Sequence, residues 1–277
     1  MSAIVQEGVA PGRGQVGLGL ALLGVFAVLA LIGPALAPHD PEHVVLADRL
    51  APPLSPGYLL GTDHLGRDLL SRLLTGLRWS FLVAGTATLI AFALGVALGL
   101  FAAVDRGPLG VLIRQIAALT QSLPVFVLAV AIIAVLGNGF TAVALTLGLV
   151  TWPMFARVVD AEARSILKRD YIAAAAMMQM GRLRLLVRHV LPGLLSSLSV
   201  LVAFHFADML IAESALSFLG VGAALGQSTW GVMLSDSRAY LLTAPWLLLA
   251  PALAVVAIVI SFNLVGDGLR RLYGHAP

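Results

Sequence analysis

Three ionisable residues, His205, Asp208 and Glu213, stand inside one apolar stretch of the chain. Ionisable groups at membrane depth are costly and usually face a bundle interior or a water-filled path. His205 and Asp208 are three apart and can pair on one helical face. Glu213 falls about 80° round the helix from His205, so the three can share a broad interior face. The chemistry this offers is a lining for a translocation path or a proton relay; the competing reading is a polar group satisfied between helices. A second set, His39-Asp40-Pro41-Glu42-His43 with His64 further on, has metal-ligand residue types. A proline-rich stretch lacks the rigid frame and supporting shell that histidine ligands need, so no metal site is assigned. No Ser-His-Asp ordering, His-Glu-x-x-His or paired-carboxylate pattern is present, and no catalytic residue is assigned. Lys168 is the single lysine and Arg169 follows it, so a phosphate-binding Gly-Lys-Ser/Thr loop is absent. The absence of cysteine removes disulfides and thiolate metal sites.

The elements that must hold these groups are membrane helices. Of the 277 residues, 60% are hydrophobic and 11% charged, where soluble domains carry about 25% charged residues. The bilayer must therefore act as solvent for much of the chain. Six spans are expected, at residues 16–37, 79–104, 115–136, 140–159, 194–219 and 244–266. Trp152-Pro153 interrupts the fourth. Arg13 before the first span and Ala35-Leu36-Ala37 after it suit a cleaved signal peptide, but the apolar run is longer than a signal core. Around the spans lie a tail over 1–15, an outer loop over 38–78, a five-helix core over 79–266 that includes an inner loop over 160–193, and a tail over 267–277.

The basic residues set the topology. With the N-terminus cytoplasmic, twelve of the seventeen Lys and Arg residues fall inside, seven of them between Arg157 and Arg188. This bias places both termini in the cytoplasm. It also accounts for a pI near 9.8 without a nucleic-acid partner. Alanines and methionines from Ala173 to Met180 predict a short helix in the inner loop, flanked by arginines and ended or kinked by Pro192. Such a helix presents an adaptable apolar face that suits a groove on a partner protein; a plain topology-setting loop is the other reading. Outside, Asp63/Arg67 and Asp68/Arg72 are spaced four apart, as in a charged interfacial helix capped by Thr62 or Asp63.

Several blocks then resemble one family. Gly61-Thr62-Asp63-His64-Leu65-Gly66-Arg67-Asp68 is similar to the block after the first span in the C-type permeases of dipeptide, oligopeptide and nickel ABC importers. Leu216-Ser217-Phe218-Leu219-Gly220, Trp230-Gly231-Val232-Met233, Ala244-Pro245-Trp246 and Phe262 to Arg270 match in order. Tyr171 to Pro192 resembles the family's coupling loop. Ala174, Ala175, His189, Leu191 and Pro192 fit it. Ala173 stands where the family has Glu, Gln179 where it has Gly, and Gly181 comes two residues late. The resemblance implies an all-α permease in a bacterial or archaeal inner membrane, working by alternating access. Its partners would be a second related permease, ATPase subunits docked on the coupling loop, and an extracytoplasmic solute-binding protein that largely chooses the substrate. ATP would be used by the ATPase partner, and this chain would bind no cofactor. Blocks 61–68 and 230–240 lean towards the nickel-type members. An ion-driven secondary transporter relying on Asp208, Glu213 and His205 is the alternative; it predicts internal inverted repeats, and none is visible.

Overall fold

The computed structural model describes residues 12–105, 107–177, 180–224 and 226–273; within them the chain is helical, with no β-strand. The helices are α1 (Arg13–Leu36), α2 (Leu69–Val104), α3 (Pro108–Ser122), α4 (Val125–Leu136), α5 (Phe140–Ile166), α6 (Asp170–Met177), α7 (Arg182–Leu185), α8 (Leu191–Phe218), α9 (Trp230–Ser237) and α10 (Trp246–Tyr273). α1, α2, α5, the run Arg182–Phe218 and α10 are each long and apolar enough to cross a bilayer. α1 packs against α10 and leaves Leu18, Leu20, Val25, Val28 and Leu31 more than half exposed, the surface of a helix that meets lipid on one side.

Both ends of the described chain lie at one end of the bundle, where Val16 packs on Gly268. Segments 38–68, 219–224 and 226–245 lie at the far end. Within the bundle, the seam between α2 and α5 is the closest. A Cβ on Gly95 would fall 2.4 Å from the Cβ of Phe155, and one on Gly99 would fall 2.7 Å from the carbonyl of Ala156. Small residues four apart let two membrane helices approach to backbone contact.

Four expectations from sequence change here. The third span is not one helix: α3 and α4 meet at 96°. The pyrrolidine ring of Pro124 holds the preceding Leu123 extended, at φ −98° and ψ 141°, and the helix cannot continue through it. Pro153, which looked disruptive, sits inside an unbroken α5. The second span starts ten residues early, at Leu69, because the Asp68 carboxylate accepts from the Ser71 N–H and caps α2. The cap is thus Asp68, and Thr62 and Asp63 belong to the turn before it. Of the two readings of Pro192, a helix end or a kinked entry to the fifth span, the helix end does not hold. Helical structure runs from Arg182 through a π-helical turn at Leu186–Val190 into α8, with Pro192 in its first turn. The wide turn accommodates a residue that has no N–H to donate.

Candidate functional site

The α3–α4 elbow faces the middle of α5 and α8. Together they enclose a half-open cavity of about 390 Å³. Its polar lining is Thr120, Gln121, Thr151, His205 and Asp208, set among apolar and thioether groups such as Phe126, Met154 and Met209. The Thr151 hydroxyl donates to the Leu147 carbonyl at 2.7 Å, so His205 must donate to Thr151 through Nε2, at 3.0 Å. His205 Nδ1 then accepts from the Thr88 hydroxyl at 3.1 Å. Both ring nitrogens are used, and the imidazole is locked between α2 and α5. Asp208 differs. Its side chain is exposed to the cavity, and it has no ion-pair or hydrogen-bond partner among the described residues.

Glu213 does not join them. It is fully buried between α2 and α8, where its carboxylate accepts from Ser80 at 2.6 Å and from Ser217 at 2.9 Å. The three acidic and basic groups expected on one interior face therefore divide: His205 and Asp208 line the cavity, Glu213 pins two helices, and the His205–Asp208 pair does not form.

At the far end the structure builds a charge network. The spacing of its residues was visible in the sequence, but its pairing was not. Asp63 pairs with Arg67 at 2.7 Å as the four-residue spacing suggested, although the two sit in a turn and not a helix. Arg72 does not pair with Asp68. It reaches back to Asp63 at 2.6 Å, donates to Ser228 at 3.0 Å, and lies 3.5 Å from Asp236. Arg67 also binds Glu42 at 3.1 Å and lies 3.4 Å from Asp236. The turn that permits this passes through Gly66 at φ +76°, where a Cβ would strike the Val45 carbonyl. Burial pushes the Asp63 carboxyl up. The Arg72 charge, the N–H groups of Arg67 and Leu65 and the Arg67 charge outweigh that and hold it below the ordinary carboxylate value. Within the His39–His43 stretch, Glu42 is committed to Arg67 and Ser228, and His39 lies 3.5 Å from Asp68, so no set of ligands converges there among the described residues.

At the end that holds the termini, α6 is described over Asp170–Met177; it starts three residues before the Ala173–Met180 helix expected, and Met180 is not helical. Ala173, Ala174 and Ala175 lie in it; Gln179 is outside the described residues. Ile172 and Ala175 are buried, while Tyr171 and Met177 are exposed. Gly181, in extended conformation, separates α6 from α7. Beyond it, exposed Leu183 and Val187 alternate with exposed Arg182, Arg184 and Arg188. His189 has a buried Nε2 without a partner, Leu191 is half-buried and Pro192 is exposed.

Comparison with known proteins settles what kind of chain carries this cavity. Residues 95–275 match the model of the binding-protein-dependent transport system inner membrane component, and residues 17–53 match the N-terminal TM domain of oligopeptide transport permease C. The chain belongs to this family of inner-membrane permeases. The di/tripeptide transport system permease protein DppC of Pseudomonas aeruginosa is 37% identical over 94% of this chain and 88% of its own length. The nickel transport system permease protein NikC of Escherichia coli K12 is 33% identical, with 93% of each chain covered. The glutathione transport system permease protein GsiD of Pectobacterium atrosepticum is 35% identical over 92% of this chain and 84% of its own. Among solved structures, an inward-facing MetNI methionine ABC transporter shares the fold, with a TM-score of 0.59 and 18% identity over 70% of this chain and 93% of that one.

The larger family region begins inside α2 and takes in every element that lines the permease's cavity. The charge network at the far end is mostly outside it: Glu42 falls in the N-terminal match, Asp63, Arg67 and Arg72 lie between the two matches, and Asp236 and Ser228 reach in from the larger one. Family membership favours the importer over the ion-driven transporter.

Proposed function

We propose that this permease forms half of the translocation path of an ABC importer for peptides, nickel or nickel chelates, with a second, related permease forming the other half. The observation that carries the proposal is the cavity itself: open on one side, midway along α5 and α8, with a carboxylate exposed in it. An ionised group facing hydrocarbon at that depth costs roughly 2.5–3.5 kcal/mol or more, so the open side suits a partner subunit or water and not lipid. In this reading the end that holds the termini is cytoplasmic, as the excess of basic residues there favours. ATPase subunits dock on α6, α7 and the π-helical turn, where exposed apolar side chains sit among Arg182, Arg184 and Arg188. A solute-binding protein delivers cargo at the far end.

Affinity purification of the chain in mild detergent, with mass spectrometry of what accompanies it, tests the assembly. Co-purified ATPase subunits and a second permease are expected; a chain that purifies alone and transports in liposomes under an ion gradient overturns the proposal. Replacing residues 174–181 with a Gly/Ser linker is expected to leave ATP hydrolysis running without uptake, and retained coupling would remove the docking role of α6.

A further inference from the structure

The cavity has one charge and no counter-charge. Among its lining residues Asp208 and His205 are the ionisable types, and His205 is neutral, with Nε2 donating to Thr151 and Nδ1 accepting from Thr88. No Lys or Arg among the described residues lines the cavity, and basic residues on the neighbouring helices lie elsewhere. Arg114 donates to the Ala102 carbonyl at 2.8 Å and faces Asp160 at 3.7 Å, and Arg164 holds Asp160 at 2.6 Å. Arg114 and Arg157 line a separate cleft of about 190 Å³ with Asp160. At the far end, Arg67 and Arg72 are spent on Asp63, Glu42 and Asp236. Arg114, Arg164, Arg67 and Arg72 are thus each paired elsewhere, Arg157 lines the separate cleft and not the cavity, and Asp208 is left facing the open space.

We propose that Asp208 is the charge-selecting residue of the path: it receives the positive centre of a passing solute, and the cavity therefore passes cationic solutes and rejects anionic ones. The inference rests on the importer reading above and adds the substrate class to it. Two sources of positive charge share this chemistry, a protonated amine and a divalent metal ion. The rest of the lining fits an amine-bearing solute with an apolar body: Thr120, Gln121 and Thr151 supply neutral hydrogen-bonding groups, and Phe126, Met154 and Met209 supply adaptable apolar contact. A carboxylate that waits unpaired in a low-dielectric wall attracts a cation more strongly than it would in water, and repels an anion by the same factor.

The test uses the whole importer, with its partner subunits and binding protein, in proteoliposomes. Maximal uptake rates at saturating binding protein are compared for Ala-Lys-Ala, Ala-Glu-Ala and Ni²⁺ in wild type, Asp208→Asn and Asp208→Glu. Reading the rate at saturation cancels capture by the binding protein between variants. Asp208→Asn is expected to lower the Ala-Lys-Ala to Ala-Glu-Ala rate ratio about tenfold, the scale of one charge-assisted contact, and Asp208→Glu is expected to restore it. A selective loss of Ni²⁺ uptake instead would assign the metal as the source of the charge. If wild type transports a probe and Asp208→Asn slows all probes equally, or leaves them all unchanged, the charge-selecting role is overturned. If Asp208→Asn instead dissociates the permease pair on size exclusion, Asp208 pairs with a partner's side chain and the proposal fails. A wild type that takes up none of the three overturns the importer reading, and this proposal with it.

Discussion

Asp63 and Asp208 are both carboxylates in a chain with few charges, and their surroundings are opposite. Asp63 is 2% exposed and is held by two guanidiniums and two backbone N–H groups. Asp208 is exposed to a cavity at mid-depth and has no described partner. The first arrangement fixes three chain segments: the loop over 38–68, the start of α2 and the stretch that reaches Asp236. The second fixes nothing among the described residues, and an unpartnered carboxylate at such a solvation cost is what the charge-selecting role proposed for Asp208 requires. Glu213, five residues from Asp208 on the same helix, belongs with Asp63: it is buried, and hydroxyls on two helices satisfy it.

The comparison breaks most visibly at Arg72. Arg72→Met leaves Asp63 buried with half of its counter-charge, which is expected to destabilise the protein by about 3–5 kcal/mol, read as a fall in thermal midpoint in detergent. A change within the error of the midpoint would mean that the network is not structural. Next comes Glu213→Ala, which strands the Ser80 and Ser217 hydroxyls and opens a void; about 1–3 kcal/mol is expected, with Glu213→Gln milder. Acid gives a smaller and more specific effect. Because the folded pKa of Asp63 is lowered, its contribution to stability is present above the ordinary carboxylate value of about 3.9 and is lost only as pH falls through the lower folded value. In Arg72→Met the carboxylate, buried with only the Arg67 charge left, is relieved by protonation. The stability gap between the two proteins should therefore narrow as pH is lowered towards about 4; a gap independent of pH would place the loss in packing alone. Smallest is Asp208→Asn, expected to shift stability by less than about 0.5 kcal/mol. A large drop would mean that Asp208 holds the fold together and would erase the contrast.

Much of this was readable from the sequence, for reasons that particular residues show. The spans were visible because about 20 apolar residues are needed to cross the bilayer and few other uses exist for such runs. The elbow at Leu123-Pro124 was not, because apolar composition continues through it while the backbone turns; Pro153, with a similar appearance, leaves its helix intact. His205 and Asp208 stood out as ionisable groups in an apolar run, and they do meet in one cavity. Glu213 had the same signal and a different fate, since helical angle alone does not say whether a neighbour's serines or open space stands opposite. The far-end network hid for another reason. Its pairing depends on a left-handed turn at Gly66 and on Asp236, which lies 164 residues beyond Arg72.

The glycine seam between α2 and α5 has a mechanical meaning. With Gly95 pressed on Phe155 and Gly99 on Ala156, neither helix can slide past the other without backbone collision. The two behave as one girder that runs the depth of the membrane. Under the importer reading, a change in the width of the cavity has to come from parts outside this seam, and the 96° elbow beside Asp208 is one such part.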